Sequence, residues 1–359
     1  MKILKRLRRI PEAGLVLLAG WGIPLLSRRA IHGFAGFIGR LLYRFDRKHY
    51  DIAVANLDLA FAGKLSDEEK DTLIRQVFRN QALVMLDLFW FNRDTHKRLV
   101  KYVKCDESFD AVLDAYSPVL VTAHISNWEV ISLMCGLRGG RFTSIFMKQK
   151  NKAANRLLNE LRQKTGSKIV KREGGLRALL QSMKEGRGTG LLLDQNTLPH
   201  EGGVFVPFFG VPVPVSNVTG VFMKRANAKL FMVWCVPDDD GIYRIYARDP
   251  YPNGAGNAKR EDITARVTLE LESIIRDNPA HWIWTYKRWR FYRDSDERSL
   301  FPAYAESYSS YVRYLNLKHN YAKAKESGDP DAIAASWAEL DAVNQEERRK
   351  RRRRRRMKG

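Results

Sequence analysis

The stretch Leu120–Val130, LVTAHISNWEV, runs from apolar residues into one histidine and, five positions later, one glutamate, with Asn127 and Trp128 between them. The run VLVTA has the length and β-branched content of a strand, so His124 falls at a strand's carboxyl end. Open α/β sheets place their ligand sites there. A helix is expected from Ser126, with Glu129 on its first turn and near enough to fold back towards the imidazole. A carboxylate beside a histidine fixes its tautomer and stabilises the imidazolium that forms when the ring takes a proton. The same residues also fit S-x-x-E, a capping box in which Glu129 only satisfies a free backbone N–H. Among seven histidines and forty acidic residues the spacing alone decides nothing, and both readings stand.

The surroundings set the fold class. Downstream of Pro118, the short apolar runs VLVTA, TSIFM, GLLLD and KLFMVWCV alternate with the helical segments AANRLLNELRQKTG and GGLRALLQSMKEG. That alternation predicts an α/β domain with a mixed, mostly parallel sheet flanked by helices. Upstream, residues 50–99 are helical in pattern: SDEEKDTLIRQVFRNQALVMLDLFW opens on Ser66 and an acidic first turn, then repeats apolar residues every three or four positions. RVTLELESIIRDNP is a further helix stopped by Pro279. Residues 306–347 read as helices outside the core, broken at SGDP.

The 359 residues carry a net charge of +22, very unevenly placed. Ten of the positive charges lie in residues 348–359, RRKRRRRRRMKG, and five in residues 1–10, which leaves +7 for residues 11–347. Such ends suit a polyanionic partner: an anionic membrane surface, a phosphorylated substrate or nucleic acid. The arginine run has nothing to pack with and is expected to be disordered. Between the basic flank and Arg28 lies AGLVLLAGWGIPLL, residues 13–26, uncharged but shorter than the roughly 20 residues a spanning helix needs. No small-residue cleavage site follows it, so the segment is expected to be retained. Basic residues around apolar, Trp-containing runs fit a helix that inserts into or lies along a cytoplasmic leaflet; a buried first helix is the other reading. Cys105, Cys135 and Cys235 have no CxxC spacing and read as reduced, buried thiols.

Several classes of chemistry have no motif here. There is no P-loop, no GxGxxG after a strand, no G-x-S-x-G elbow and no HExxH or other ligand cluster, so no cofactor and no metal are expected. No zinc finger, helix-turn-helix or RNP motif is present either, which argues against nucleic acid as the partner.

AHISNWE resembles the H-x4-D/E block of the lysophospholipid acyltransferase superfamily, in the N-W-E form of the bacterial lipid A (lauroyl/myristoyl) acyltransferase branch. Other blocks resemble that branch in order and spacing. MKQKN, residues 147–151, is similar to the second block, with Met147 where an arginine is usual and Lys148 as the substitute charge. GGLRALLQSMKEGRGTGLLLDQN is similar to the helix and strand that end in an Asp-Gln pair, here Asp194 and Gln195. GVFVPFFGVPVPV is similar to the Phe-Phe-Gly segment, and HWIWTYKRWR to the closing Trp-basic block. The resemblance covers about residues 10–295.

It implies a single acyltransferase domain at 46–305 behind a membrane-anchoring helical segment at 1–45; the helical extension 306–347 and the tail 348–359 lie outside the family's pattern. It implies transfer of a fatty acyl chain from an acyl carrier protein thioester, or acyl-CoA, to a hydroxyl of a membrane glycolipid at the cytoplasmic face of a bacterial inner membrane. A lipid A precursor suits the branch; a lysophospholipid, an ornithine-type lipid or a glycosylated phospholipid would use the same chemistry. His124 would be the general base and Glu129 its orienting carboxylate. Asn127, Lys148, Asn151, Arg156, Arg172, Asp194 and Gln195 would bind substrate, with Arg162 and Lys171 as further cations. Asn127 either shapes the turn presenting His124 or caps a helix. VFVPFF and FMVWCV read as core strands, one face lining an acyl groove. Trp282, Trp284 and Trp289, beside Lys287, Arg288 and Arg290, form either an interfacial aromatic–basic belt or part of the core. A basic, non-catalytic nucleic-acid- or membrane-binding protein is the reading from a different class.

Overall fold

The computed structural model describes residues 14, 16, 18–146, 152–171, 174–226, 228–238 and 240–356. The chain divides into two compact units, Met1–Arg288 and Trp289–Gly359. The break thus precedes residue 305, where the apolar texture of the sequence fades.

Beyond the short turn Ile23–Leu25, the described residues of the first unit run through the helices α1 (Arg28–Phe45), α2 (Arg47–Ala60), α3 (Asp67–Trp90) and α4 (Thr95–Tyr102). Alternating elements follow: β1 (Val103–Cys105), α5 (Asp110–Asp114), β2 (Val119–Thr122), α6 (Glu129–Leu137), β3 (Phe142–Phe146), α7 (Lys152–Gln163), β4 (Lys168–Lys171), α8 (Gly175–Lys184) and β5 (Gly188–Leu192). The hairpin β6 (Gly203–Phe208) and β7 (Val211–Ser216), α9 (Val218–Ala226), β8 (Leu230–Pro237), β9 (Tyr243–Arg248) and α10 (Arg260–Asp277) complete it. Seven strands form one sheet in the order β1-β9-β8-β2-β5-β3-β4, and every pairing is parallel except β8 with β9. The α/β reading of the sequence describes this sheet well. VFVPFF, however, lies outside it, in the two-stranded antiparallel hairpin β6–β7.

The central position of β2 follows from its composition. Val119, Leu120 and Val121 are all buried, as a strand covered on both faces requires, and β5 and β8 flank it. The start of α3 is set locally. Ser66 accepts from the Glu69 N–H at 3.2 Å, and Glu69 accepts from the Ser66 N–H at 2.8 Å, a reciprocal cap. α1 lies against α3 through Ile31, Ala35 and Gly39, buried residues four apart on one stripe. At Gly39 the approach is close: a Cβ there would stand 2.7 Å from Arg79 Cα.

The segment after α10 is pinned to the helices by side-chain amides. Asn56 Nδ2 donates to the carbonyls of Trp284 and Tyr286, at 2.7 and 2.8 Å. Gln81 Nε2 donates to Thr285 Oγ1 at 2.6 Å. Asn80 Nδ2 donates to the Ala280 carbonyl at 2.8 Å and to His281 Nδ1 at 3.1 Å. Because Nδ1 accepts, the His281 proton sits on Nε2, and burial pushes this imidazole down to about 4.

The second unit holds two short parallel strands, β10 (Phe291–Tyr292) and β11 (Glu306–Ser307), then α11 (Tyr308–Ser327) and α12 (Pro330–Arg356). The helices break at Gly328, in the left-handed region, with Pro330 opening the next, the break SGDP announces. α12 continues through Arg356, into the arginine run expected to be disordered; arginine is a good helix former and extends the helix already begun. Among the described residues no helix is long and apolar enough to cross a membrane, and most of residues 1–17 lie outside them.

Two substitutions test this packing. Gly39→Ala is expected to lower stability by about 1–3 kcal/mol through the clash with the α3 backbone. Gly33→Ala, on the same helix with open space around it, should raise it by about 0.5–1 kcal/mol. Urea unfolding of both variants checks the pair; equal stability would refute the α1–α3 contact. The buried His281 gives a pH signature. An unfolded chain takes its proton near the ordinary value of 6.5, the folded chain only near 4, so stability is complete above 6.5 and declines as pH falls towards 4. Between pH 7.5 and 4.5 the wild type should lose about 2–3 kcal/mol more than His281→Asn, whose amide oxygen can replace Nδ1 as acceptor. Denaturant midpoints at the two pH values measure this.

Candidate active site

β2 and β5 are parallel and in register, with Thr122 opposite Leu192, and the Leu193 N–H donates to the Thr122 carbonyl at 3.1 Å. Each chain then runs past the sheet edge, so residues 124 and 194 arrive side by side although 70 positions separate them. His124 Nδ1 lies 2.8 Å from Asp194 Oδ1, and the His124 backbone N–H donates to Asp194 Oδ2 at 2.8 Å. The Trp282 indole N–H donates to the same Oδ2 at 2.9 Å. Trp282 also bridges Ile125 as a short antiparallel pair, and the Ser126 N–H donates to the His281 carbonyl at 2.8 Å. The segment pinned to α3 therefore holds both halves of the site.

An ionised carboxylate only accepts, so the bond to Asp194 puts the His124 proton on Nδ1 and leaves the Nε2 lone pair outward. Nε2 has no hydrogen-bond partner among the described residues, and 15% of the side-chain surface is exposed. The Trp128 ring meets the imidazole edge to face at 4.6 Å. Burial works against the charged imidazole, but Asp194 and, beyond it, Glu129 outweigh that and raise the His124 pKa above its ordinary 6.5. Burial likewise pushes Asp194 up, and the charge and hydrogen bonds of His124, with the Trp282 indole, overcome it and lower its pKa. The arrangement is a base poised by a buried anion, with one nitrogen free to take a proton.

This differs from the sequence reading in its second member. Glu129 does not reach the ring nitrogen: Arg162 of α7 grips it with two nitrogens, Nε at 2.8 Å from Oε2 and Nη2 on Oε1. Burial disfavours the Arg162 charge, and the pair with Glu129 more than compensates, raising its pKa. Arg162 is thus committed to Glu129 rather than standing as a loose anion-binding cation. The helix also starts later than expected. α6 begins at Glu129, Trp128 makes no side-chain cap, and Ser126 sits at φ 43°, a left-handed conformation that prevents the S-x-x-E cap.

Other expected site residues fall in different places. Asn127 is buried and its Nδ2 donates to Asp87 Oδ2 at 3.1 Å, so it neither caps a helix nor points outward for substrate. Gln195 is half-buried beside Asp194 and makes no side-chain hydrogen bond among the described residues. Its neighbour Asn196 anchors the end of β5: its N–H donates to Tyr286 Oη at 3.0 Å, its Nδ2 to the Lys287 carbonyl at 3.1 Å, and Arg288 donates to its Oδ1 at 2.7 Å. Arg156 is exposed and pairs with Glu160 one turn along α7, away from the His124 pair's hydrogen bonds. Lys148, Asn151 and Arg172 lie outside the described residues, and so does the Lys171 side chain. Trp282, Trp284 and Trp289 are buried, which removes the aromatic-belt reading; the Trp284 indole is spent on the Pro279 carbonyl. Among the described residues no group of acids, histidines and cysteines could hold a metal ion. Sequence reasoning passed over Asp87, Arg28 and the bond from Trp282; an acid alone in the apolar run ALVMLDLFW was the available signal for the first.

The sequence model of the bacterial lipid A biosynthesis acyltransferase family matches residues 1–291. Lipid A biosynthesis acyltransferase 2 of Shigella flexneri is 23% identical over 269 residues, covering 74% of this chain and 85% of that protein. Lipid A biosynthesis myristoyltransferase of Escherichia coli (strain K12) is 21% identical over 253 residues, covering 70% and 78%. The crystal structure of the 1-acyl-sn-glycerophosphate acyltransferase PlsC from Thermotoga maritima aligns with a TM-score of 0.33 at 15% identity, covering 70% of this chain and 99% of that one. A family match over 1–291 of 359 residues leaves one assignment: the chain belongs to the bacterial lipid A biosynthesis acyltransferase family and is an enzyme that transfers acyl groups.

Proposed function

We propose that the enzyme moves a fatty acyl chain from a thioester, carried by acyl carrier protein or CoA, to a hydroxyl of a membrane glycolipid of the lipid A precursor type. The observation that carries this reading is the His124–Asp194 pair at the ends of β2 and β5, with Nε2 unpartnered among the described residues. His124 Nε2 takes the proton of the acceptor hydroxyl as its oxygen attacks the thioester carbonyl. The C–S bond then breaks, the ester C–O bond remains, and the imidazolium returns its proton to the departing thiolate. Asp194 stabilises the transient imidazolium, and Glu129, held by Arg162, adds a second negative charge at longer range. No acyl-enzyme is required, because the acceptor itself is the nucleophile.

A membrane acceptor accords with α1. While Ile31, Ala35 and Gly39 face α3, Phe34, Phe37, Leu41 and Phe45 are exposed, Phe45 by 75%, and Trp21 just upstream by 83%. Exposed Arg29, Arg40 and Arg44 border this face. A helix of that kind lies in the interface of an anionic leaflet, here the cytoplasmic face of a bacterial inner membrane. Phe34, Phe37, Leu41 and Phe45 recur at helical spacing along one side of α1, and lipid is the occupant we assign to that stripe.

Mass spectrometry of lipids after incubation with acyl carrier protein thioesters or acyl-CoA and a total lipid extract in detergent micelles tests the reading and identifies both substrates. His124→Ala should lower transfer by about 10³-fold or more, the share a general base supplies. Asp194→Asn should cost on the order of 10³–10⁴-fold, as amide-for-carboxylate changes do in other His–carboxylate pairs, and Glu129→Gln only about tenfold. Because both carboxylates raise the His124 pKa and the base acts when neutral, kcat/KM should rise with pH through a limb above 6.5. That limb should move to lower pH in Glu129→Gln. A Glu129→Gln loss exceeding that of Asp194→Asn would return the principal role to Glu129.

A further inference from the structure

A second buried carboxylate adjoins the same turn. Asp87, in the last turn of α3, is 1% exposed and is bound from three directions. Arg28, the first residue of α1, grips both of its oxygens; Tyr243 Oη of β9 donates to Oδ2 at 2.7 Å, and Asn127 Nδ2 to the same oxygen at 3.1 Å. The Arg28 guanidinium lies among the rings of Trp90, Phe91, Tyr102 and Tyr243, 5.0–5.9 Å from their centroids. Burial works against its charge, and Asp87 more than restores it.

Nothing in α3 itself calls for an acid at this position. A negative charge in a helix's last turn opposes the helix dipole, and a buried ion pair is rarely more stabilising than apolar side chains of equal volume. What the carboxylate does supply is direction. An acceptor-only group fixes which end of the Asn127 amide faces it, and among the described residues Asn127 Oδ1 is buried without a partner, so Nδ2 to Asp87 is the bond that sets this side chain. Asn127 follows Ser126, at φ 43°, in the turn between β2 and α6; the turn's other ties are the His124 bonds to Asp194, the Ile125–Trp282 bridge, the Ser126 bond to His281 and short local bonds, none of which holds the Asn127 side chain.

We propose that Asp87 is a positioning residue for acyl transfer: through Asn127 it holds the left-handed turn that aims His124, and through Arg28 it ties that turn to the root of the helix with the exposed apolar face. The proposal rests on His124 being the base.

The test uses the full chain in lipid micelles and compares Asn127→Ala, Asp87→Asn and the double variant with the wild type. Asn127→Ala leaves the Arg28–Asp87 pair whole, so its fold survives even where Asp87→Asn, with Arg28 uncompensated, does not. The expected result for Asn127→Ala is a kcat about tenfold or more lower, KM within about twofold, and an unchanged unfolding midpoint within a few degrees. The limb of kcat/KM set by His124, whose charged neighbours are Asp194 and the Arg162-bound Glu129, should shift to lower pH as the bond to Asp194 loosens. The double variant should be no slower than the slower single one. A folded Asn127→Ala with wild-type kcat, a lower kcat with an unmoved limb, additive losses in the double variant, or an Asn127→Ala chain that no longer folds would each overturn the proposal. Transfer that survives His124→Ala would instead remove the general-base reading, and this proposal with it.

Discussion

The carboxylate of Asp194 is the point on which the first unit closes. It is wholly buried and accepts three hydrogen bonds, from the His124 ring, the His124 backbone and the Trp282 indole. Without those donors a charge in that position would cost several kcal/mol. They come from the end of β2 and from the segment after α10, while Asp194 itself follows β5, so the anion is tolerated only when all three stretches are in place. The requirement also runs the other way. Asp194 draws the His124 proton to Nδ1 and raises the pKa of the ring, which gives the imidazole both its tautomer and its strength as a base.

Three acids surround the turn after β2, and each has a different partner: Asp194 has His124, Glu129 has Arg162 and Asp87 has Arg28. The partners lie 70, 33 and 59 positions apart, so each pair joins elements distant in sequence. Two arginines compensate two carboxylates, and only the third carboxylate is left to the histidine.

Much of the fold was legible because buried parallel strands read as uninterrupted apolar runs, and VLVT, SIF, LLL and LFMVWCV became β2, β3, β5 and β8. β1, β4 and β9 are short or alternate polar with apolar residues and gave no such signal. In the site, His124 at a strand's end and Asp194 at another's were both readable. Their pairing was not, since it depends on β5 rather than β3 lying next to β2, an order that local pattern does not encode. The H-x4-E spacing suggested Glu129 as the ring's partner because it assumed a helix from Ser126. The left-handed Ser126 and its bond to the His281 carbonyl delay that helix by three residues. Likewise Trp282 and Trp284 looked suited to an interface, and what buries them is that each indole N–H finds an acceptor inside.

The same logic explains why polar groups fasten α1. A helix whose outer face is apolar gains as much from lipid as from protein contact there, and hydrophobic burial, having no direction, does not decide its rotation or its depth. Directed bonds do. Trp90 donates from its indole to the Leu26 carbonyl at 2.9 Å, Arg98 donates to the carbonyls of Pro24 and Trp90, and Arg28 grips Asp87. These bonds cluster at the root of α1, while Gly39, further along, fits against the α3 backbone and sets how closely the two helices lie. A helix held this way can offer Phe34, Phe37 and Phe45 to a leaflet without leaving its register on α3, whose last turn carries the acid bonded to the turn that follows His124. The exposed apolar face of α1 and the face that packs on α3 are therefore separate, and only the second is tied through Arg28 and Asp87 to the turn that follows His124.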